Sequence, residues 1–372
     1  RTASSVYNTQ KRGGKGLKGA KTDETDPIEH LFVASTHAYL LFLTTAGKVR
    51  WQKVYDLPQL PRDSRGRAIV NLLNLEKEER IAECLAVRDF DQEGYYVVMA
   101  TRSGLVKKTP LEQYSRPKRG GIIAIKLREG DELVDAAVIG PGDEVVLVTA
   151  QGMAIRFRES DARPMGRNTS GVKGISLVGD DHVVGMVVAD PSDSLLTICE
   201  NGYGKRTKFG PNASASDADN SDSEGDGELA SSARYRTQKR GGKGLRDIRT
   251  SDRNGQVIGI ARVNDEDEIF MMTAKGKLQR IKAADINVIG RNTQGVRIMN
   301  VDEGDSLIAV VRVPAEEVSE EETANAAAQA DGETVSVTEG SVPAETEASG
   351  SDHAPPEAGN EGPENGSPEN EE

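Results

Sequence analysis

Short apolar segments alternate with glycine-containing turns along most of this chain. One pattern occurs five times: an apolar strand, a turn with glycine, and a second strand that ends in basic residues. Glycine supplies the positive φ angle that a tight hairpin turn requires, so each copy predicts a β-hairpin. The turns recur about every 50 residues once an insert in the last interval is set aside, and their glycines are Gly47, Gly104, Gly152, Gly202 and Gly276.

Each repeat contains two further predicted elements. A basic loop with glycine leads into a short strand, as in residues 163–177, and an acidic turn leads into an apolar strand, as in residues 129–138. Together with the hairpin they give about four short strands per repeat, and residues 1–313 show almost no helical periodicity. We therefore predict an all-β fold, a propeller-like or pinwheel array of four-stranded blades, with independent β-meanders as the alternative.

The number of predicted blades follows from the basic loop, which occurs six times although the hairpin occurs five times. The first loop, around residues 10–16, has no hairpin before it. Arg1-Thr2 resembles Arg206-Thr207, which ends a hairpin. We therefore expect six blades, the first of which lacks its N-terminal strands.

Charge is distributed unevenly along the chain. Residues 314–372 contain 17 Asp and Glu and no Lys or Arg, and residues 212–233 contain 6 and none. Neither segment can bury enough apolar area to fold alone, so we expect a domain over residues 1–313, interrupted by a disordered acidic insert and followed by a disordered acidic tail. The whole chain has a net charge of −13, and without the carboxylates of these two segments the remainder carries +10.

A basic heptad that occurs twice is the strongest candidate for a binding function. Its glycines let the backbone approach a ligand closely, and its Lys and Arg side chains neutralise phosphate. Because it has little that could read base edges, we predict sequence-independent binding to double-stranded DNA, with a plain soluble turn as the alternative. The copies consist of Gln10, Lys11, Arg12, Gly13, Gly14, Lys15 and Gly16, and of Gln238, Lys239, Arg240, Gly241, Gly242, Lys243 and Gly244.

Cations recur near the same place in the other basic loops. Blades arranged radially bring equivalent loops to one rim, so these cations predict a basic belt around which DNA bends. Basic residues at the hairpin ends, such as Lys108 and Arg206, add charge, although some should pair with acidic residues. The predicted loop cations are Arg65, Lys118, Arg119, Arg167 and Arg291.

The heptad resembles the gyrase A box, the signature of the C-terminal DNA-wrapping domain of bacterial DNA gyrase A. The resemblance covers residues 1–313, and the chain departs from the family pattern in the missing first hairpin, in a second intact box at residues 238–244 and in the acidic insert before that box. Lys11 and Lys239 stand where the family usually has Arg, and the second intact box puts in doubt whether the first blade dominates DNA binding. Similar segments include residues 29–36, 66–73, 99–110, 120–127, 155–166 and 200–207.

The resemblance implies a six-bladed β-pinwheel that wraps DNA around its edge and so presents a nearby DNA segment to the DNA gate with positive handedness. It implies a part in ATP-dependent negative supercoiling by DNA gyrase, a type II topoisomerase made of two copies each of gyrase A and gyrase B in the bacterial cytoplasm, at the nucleoid. The implied partners are double-stranded DNA, gyrase B and a second copy of gyrase A. ATP and Mg²⁺ would belong to gyrase B, so neither a catalytic residue nor a cofactor is expected in this chain.

Two other classes of protein remain as alternatives. The corresponding C-terminal domain of topoisomerase IV is similar but lacks the intact box. A protein-binding propeller of the WD-repeat type would carry Trp-Asp pairs, whereas the one tryptophan, Trp51, precedes Gln52. The four histidines and two cysteines lack metal-ligand spacing, and no stretch has the length of a membrane helix.

Overall fold

The five predicted hairpins are all present. The computed structural model describes residues 1, 34–61, 64, 66–77, 79–118, 120–210, 234–275 and 277–314. The hairpins are β1 (Tyr39–Thr44) with β2 (Lys48–Lys53), β4 (Tyr96–Thr101) with β5 (Leu105–Pro110), β8 (Glu144–Thr149) with β9 (Met153–Arg158), β12 (Ser194–Cys199) with β13 (Tyr203–Lys208), and β16 (Glu268–Thr273) with β17 (Leu278–Lys282).

Glycine is required at the hairpin turns for two reasons. The backbone at Gly152 has a φ of +76°, and that at Gly202 has a φ of +80°. A Cβ atom at Gly152 would also lie 2.2 Å from the carbonyl oxygen of Ile248, and one at Gly202 would lie 2.2 Å from that of Met299. The turn therefore needs both the left-handed conformation and the missing side chain.

A seven-residue inner strand pairs with the first strand of each hairpin. Consecutive inner strands pack against one another in chain order, so successive sheets meet along this side. The inner strands are β3 (Ile81–Val87), β7 (Leu133–Ile139), β11 (Val183–Ala189), β15 (Val257–Val263) and β19 (Leu307–Val313).

A two-residue outer strand, supplied by the following repeat, completes four of the sheets. The outer strands are β6 (Ile122–Ile123) on β2, β10 (Val172–Lys173) on β5, β14 (Leu245–Arg246) on β9, and β18 (Val296–Arg297) on β13. The strand orders are β3-β1-β2-β6, β7-β4-β5-β10, β11-β8-β9-β14 and β15-β12-β13-β18. Among the described residues, the fifth sheet has the three strands β17-β16-β19.

The prediction of six blades needs correction. The described residues form five sheets, and almost all of the predicted first blade lies outside them. The fifth sheet has three described strands, not the four predicted. Each complete sheet also draws on two repeats, so the four strands do not come from one repeat as predicted. A two-residue strand such as β10 carries no periodic pattern, so the sequence could not reveal this exchange.

The hydrophobic core lies between neighbouring sheets. In β4, Val97 and Met99 pack toward the first sheet, whereas Val98 and Ala100 pack toward the third. Burial on both faces explains why the first strand of each hairpin is a largely apolar run that does not alternate with polar residues. The helix α1 (Val70–Leu73) helps to cover the first sheet, and in the described part of the chain no helix is long and apolar enough to cross a membrane.

Candidate nucleic-acid interface

The basic loops follow the outer edges of successive sheets. Each loop lies against the second hairpin strand of the preceding repeat and then continues as the outer strand of that sheet. At the start of three of these loops a backbone N–H donates to a carbonyl oxygen of the hairpin strand. These bonds run from Met165 to Lys108, from Gln238 to Arg156 and from Ile289 to Arg206, at 2.8, 2.7 and 2.8 Å.

The far end of each loop is fixed in the same way. Just after the outer strand, a backbone N–H donates to the carbonyl oxygen of the hairpin-turn glycine. These bonds run from Ala124 to Gly47, from Gly174 to Gly104, from Asp247 to Gly152 and from Ile298 to Gly202, at 2.9, 2.8, 2.9 and 2.9 Å. Equivalent loops therefore occupy equivalent places, and together they form what we call the outer rim: residues 116–123, 163–173, 236–246 and 288–297, apart from Arg119.

Backbone hydrogen bonds fix the second box in place. The N–H of Gly241 donates to the carbonyl oxygen of Gly174 at 2.7 Å, and the carbonyl oxygen of Gly242 accepts from the N–H of Ser176 at 2.8 Å. Lys239 and Lys243 have exposed side chains on this fixed loop. The box thus presents two free ammonium groups from an ordered backbone, an arrangement suited to a phosphate chain.

Arg240 of the same box points back to the protein. Its guanidinium donates to the carbonyl oxygen of Lys173 and, at 3.1 Å, to that of Asp161. The carboxamide nitrogen of Gln238 is buried and has no hydrogen-bond partner. Among the cations of the second box, Lys239 and Lys243 are therefore the ones available to a ligand, while Arg240 secures the loop.

The remaining predicted site residues divide into three groups. Lys118 is exposed on the outer rim. Arg167 and Arg291 are half-buried, and burial lowers the pKa of Arg291 although Tyr235 and Asp247 oppose this effect. The first box, together with Arg65 and Arg119, lies outside the described residues.

A fully buried ion pair supports the rim loop of the fourth sheet. Lys205 Nζ donates to Asp247 Oδ1 at 2.7 Å and to Thr207 Oγ1 at 2.7 Å, and the Tyr235 hydroxyl donates to the same carboxylate. The carbonyl oxygen of Asp247 accepts from the N–H of Asn292, which belongs to the loop. Burial lowers the pKa of Lys205, while Asp247 opposes this effect.

Lys107 occupies the equivalent position in the second sheet without such a partner. Its ammonium group donates to the carbonyl oxygens of Ala124 and Arg167, and the structure places no carboxylate against it within the described residues. Ala124 stands where the fourth sheet has Asp247. Burial, with a smaller effect from Arg167, lowers the pKa of Lys107 to about 7.

Most other basic residues at the hairpin ends are neutralised by carboxylates. Most of their ion pairs lie within a sheet or between a hairpin and a nearby turn, and the pair of Lys108 with Glu159 joins the second hairpin to the turn after the third. These side chains therefore add little free charge to the rim. The pairs are Lys48 with Glu76, Arg50 with Glu79, Lys108 with Glu159, Arg156 with Glu144, Arg206 with Asp265, Lys277 with Asp302, and Arg280 with Glu268.

Sequence reasoning missed the cations of the outer strands. Lys173, Arg246 and Arg297 are each the second residue of an outer strand, and all three are exposed. The signal was present, since each follows a glycine and one apolar residue at the end of a basic loop. In the first sheet Ile123 takes this place. The outer rim therefore carries exposed cations both in its loops and in its short strands.

The fold and this edge define a class: propeller-like arrays of small antiparallel sheets that exchange outer strands and carry cations along the outer edge. A family model described as "DNA gyrase C-terminal domain, beta-propeller" matches residues 1–35, 38–88, 95–139, 143–190, 231–264 and 267–314. This chain belongs to that family. Four of the six matched segments each contain one of the hairpins, and residues 1–35 and 231–264 each contain one of the two boxes.

Individual relatives agree with the family. The DNA gyrase A subunit of Salmonella typhimurium is 43% identical over 316 residues, which cover 85% of this chain and 33% of that protein. The DNA gyrase A subunit of Mycobacterium tuberculosis is 40% identical over 314 residues, or 84% of this chain and 35% of that protein. The chain thus spans about a third of the length of these curated relatives.

Two solved structures share the fold. A DNA gyrase A C-terminal domain aligns with a TM-score of 0.64 and 25% identity, covering 84% of this chain and 94% of that one. The C-terminal domain of a DNA topoisomerase IV aligns with a TM-score of 0.66 and 25% identity, covering 84% and 89%. The fold alone therefore does not separate the two kinds of topoisomerase.

Proposed function

We propose that this chain binds double-stranded DNA without reading its sequence and wraps the DNA around the outer rim. The observation that carries the proposal is the repeated anchoring of the basic loops, which places equivalent cation-bearing segments along the edges of consecutive sheets. A regular row of cations that contacts phosphates but not bases favours bending over sequence recognition.

Lys239 and Lys243 would make the central phosphate contacts, with Lys118, Lys173 and Arg246 extending the path along the rim. Arg240 would act through the loop that it holds. The identical sequence of residues 10–16 supports the same role for the first box, and the six matched segments support a sixth repeat that contains it. Arg65, Arg119, Arg167 and Arg291 remain proposed contacts.

The relatives support a wider proposal. We infer that this chain is the C-terminal part of a DNA gyrase A, acting in the bacterial cytoplasm at the nucleoid with a second copy of gyrase A and with gyrase B. Its share in ATP-dependent negative supercoiling would be to wrap DNA, while ATP and Mg²⁺ would be bound by gyrase B. The corresponding part of a topoisomerase IV is the second candidate, favoured by the structural match but not by the two intact boxes.

The salt dependence of DNA binding tests the role of the second box. Because each phosphate neutralised contributes about 0.9 to the slope of log K against log salt, the Lys239→Gln/Lys243→Gln variant should lower that slope by about 1.8. Arg262→Gln/Arg312→Gln is a matched control: both arginines lie on inner strands and already pair with Asp193 and Asp267. An unchanged slope in the box variant would show that the box does not contact phosphates.

A further inference from the structure

Two arginines converge on Tyr203 at the outer edge of the fourth sheet. The guanidinium carbon of Arg253 lies 5.0 Å from the centre of the tyrosine ring, and that of Arg297 lies 5.3 Å from it. Arg253 Nε donates to the phenol oxygen at 3.3 Å, and Arg297 Nη2 donates to it at 2.8 Å. Tyr203 is buried beneath these two exposed side chains.

Three separate elements build this arrangement. Tyr203 begins β13, and Arg297 on the outer strand β18 is its direct partner across the ladder. Arg253 belongs to the turn at residues 251–255, which is organised by Asn254. The side-chain nitrogen of this fully buried asparagine donates to the carbonyl oxygens of Arg249 at 2.9 Å and Gln294 at 3.2 Å. The turn is therefore tied to the rim loop that ends in β18, and Arg253 is preorganised.

The charges at this place are not balanced within the described residues. Arg206 on the same hairpin pairs with Asp265, and Arg156 of the third sheet pairs with Glu144, whereas no carboxylate forms an ion pair with Arg253 or Arg297 in the described part of the chain. Hydrogen bonds from Arg253 and Arg297 also lower the pKa of the Tyr203 phenol, so the site favours negative charge. Two like charges held beside one oxygen atom are suited to an anion between them.

We propose that Arg253 and Arg297 jointly bind one phosphate of the DNA backbone, and that Tyr203 positions both guanidinium groups for it. This inference rests on the proposed function, because it assigns a further contact on the wrapping path. Arg297 follows directly on the rim loop at residues 288–295, so DNA lying along that loop would bring a phosphate to the pair. Guanidinium groups bind phosphate oxygens with two parallel hydrogen bonds, which fits a shared ligand.

The salt dependence of DNA binding by three variants tests whether the phosphate is shared. If the two arginines hold one phosphate, Arg253→Gln, Arg297→Gln and the double variant should each lower the slope by about 0.9. Contacts to two separate phosphates would instead lower it by about 1.8 in the double variant, which would overturn the shared site. Unchanged slopes in all three would overturn the site altogether. Arg262→Gln/Arg312→Gln, which removes the same charge from inner strands, is the control.

Tyr203→Phe tests the positioning role separately. The variant keeps the ring under the guanidinium groups but removes the oxygen that both contact, so DNA affinity should fall about threefold to tenfold while the slope stays the same. Unchanged affinity would contradict the role of Tyr203. If the unmodified chain itself failed to bind DNA, the proposed function would fail. If every arginine variant bound DNA with the same salt slope as the unmodified chain, only this site would be refuted.

Discussion

Replacing Lys107 with methionine should change the way in which stability depends on pH. The lysine is fully buried, and its ammonium group donates only to the carbonyl oxygens of Ala124 and Arg167 among the described residues. Burial and then Arg167 lower its pKa from 10.5 to about 7. Methionine has similar length and no titratable group, so it removes this proton equilibrium from the folded state.

The direction of the pH dependence of stability follows from which state, folded or unfolded, binds the proton of Lys107 more tightly. Below pH 7 the lysine is charged in both states, and the folded protein bears the full cost of a buried charge. Between pH 7 and about 10.5 the unfolded chain binds the proton more tightly, so stability rises with pH by about 1.4 kcal/mol per unit. From about pH 7.5 to about pH 9.0 the free energy of unfolding of the native sequence should therefore rise by about 2 kcal/mol relative to Lys107→Met.

Urea unfolding at these two pH values measures the difference. The single tryptophan is a suitable reporter, since Trp51 Nε1 donates to the carbonyl oxygen of Tyr114 at 2.9 Å in the same cluster between the first and second sheets. Lys126→Met, which removes an exposed lysine, is the matched control. The argument that Lys107 is buried without a counter-charge would be refuted if the native sequence and Lys107→Met differed in free energy of unfolding by the same amount at both pH values.

Two further changes test the packing between sheets and at the turns. Burial, with a contribution from Glu83, raises the pKa of Asp135 well above its usual value, so ionisation costs stability as the pH rises above about 4. Asp135→Asn should therefore raise the melting temperature at about pH 7.5, with the gain shrinking toward about pH 4; a lower melting temperature at the higher pH would contradict this. Gly152→Ala should cost more than about 2 kcal/mol in urea unfolding, because the new Cβ would meet the carbonyl oxygen of Ile248 at 2.2 Å. Gly66→Ala has a similar φ of +77° but open space around it, so it should cost only about 1 kcal/mol, and equal losses would show that the contact is unimportant.

The sequence was sufficient to predict the hairpins because their chemistry is local. Gln151-Gly152 and Asn201-Gly202 each follow an apolar strand and precede a second strand, and the glycine supplies the positive φ of a tight turn. The exchange of outer strands was beyond such reasoning, since Val172–Lys173 is too short to show a period and pairs with a hairpin of the preceding repeat. Tertiary contacts alone reveal it.

The site was predictable at the level of loops but not of individual side chains. The spacing of the basic loops indicated a shared edge, and the repeated loop anchors place them there. Lys239 and Arg240 are adjacent cations in one motif, yet Lys239 is exposed and Arg240 is bonded to the carbonyl oxygens of Lys173 and Asp161. Which cation is free depends on acceptors contributed by another repeat, and a linear motif does not contain that information.

Relaxation of a closed circular plasmid by topoisomerase I in the presence of this chain tests the central claim most directly. We predict that, after the protein is removed, the linking number is shifted in the positive sense and that the shift grows with the amount of bound protein. The Lys239→Gln/Lys243→Gln variant should give a smaller shift at the same protein concentration. An unchanged linking number at concentrations at which the plasmid is fully bound would contradict wrapping, because it would show binding without a path around the outer rim.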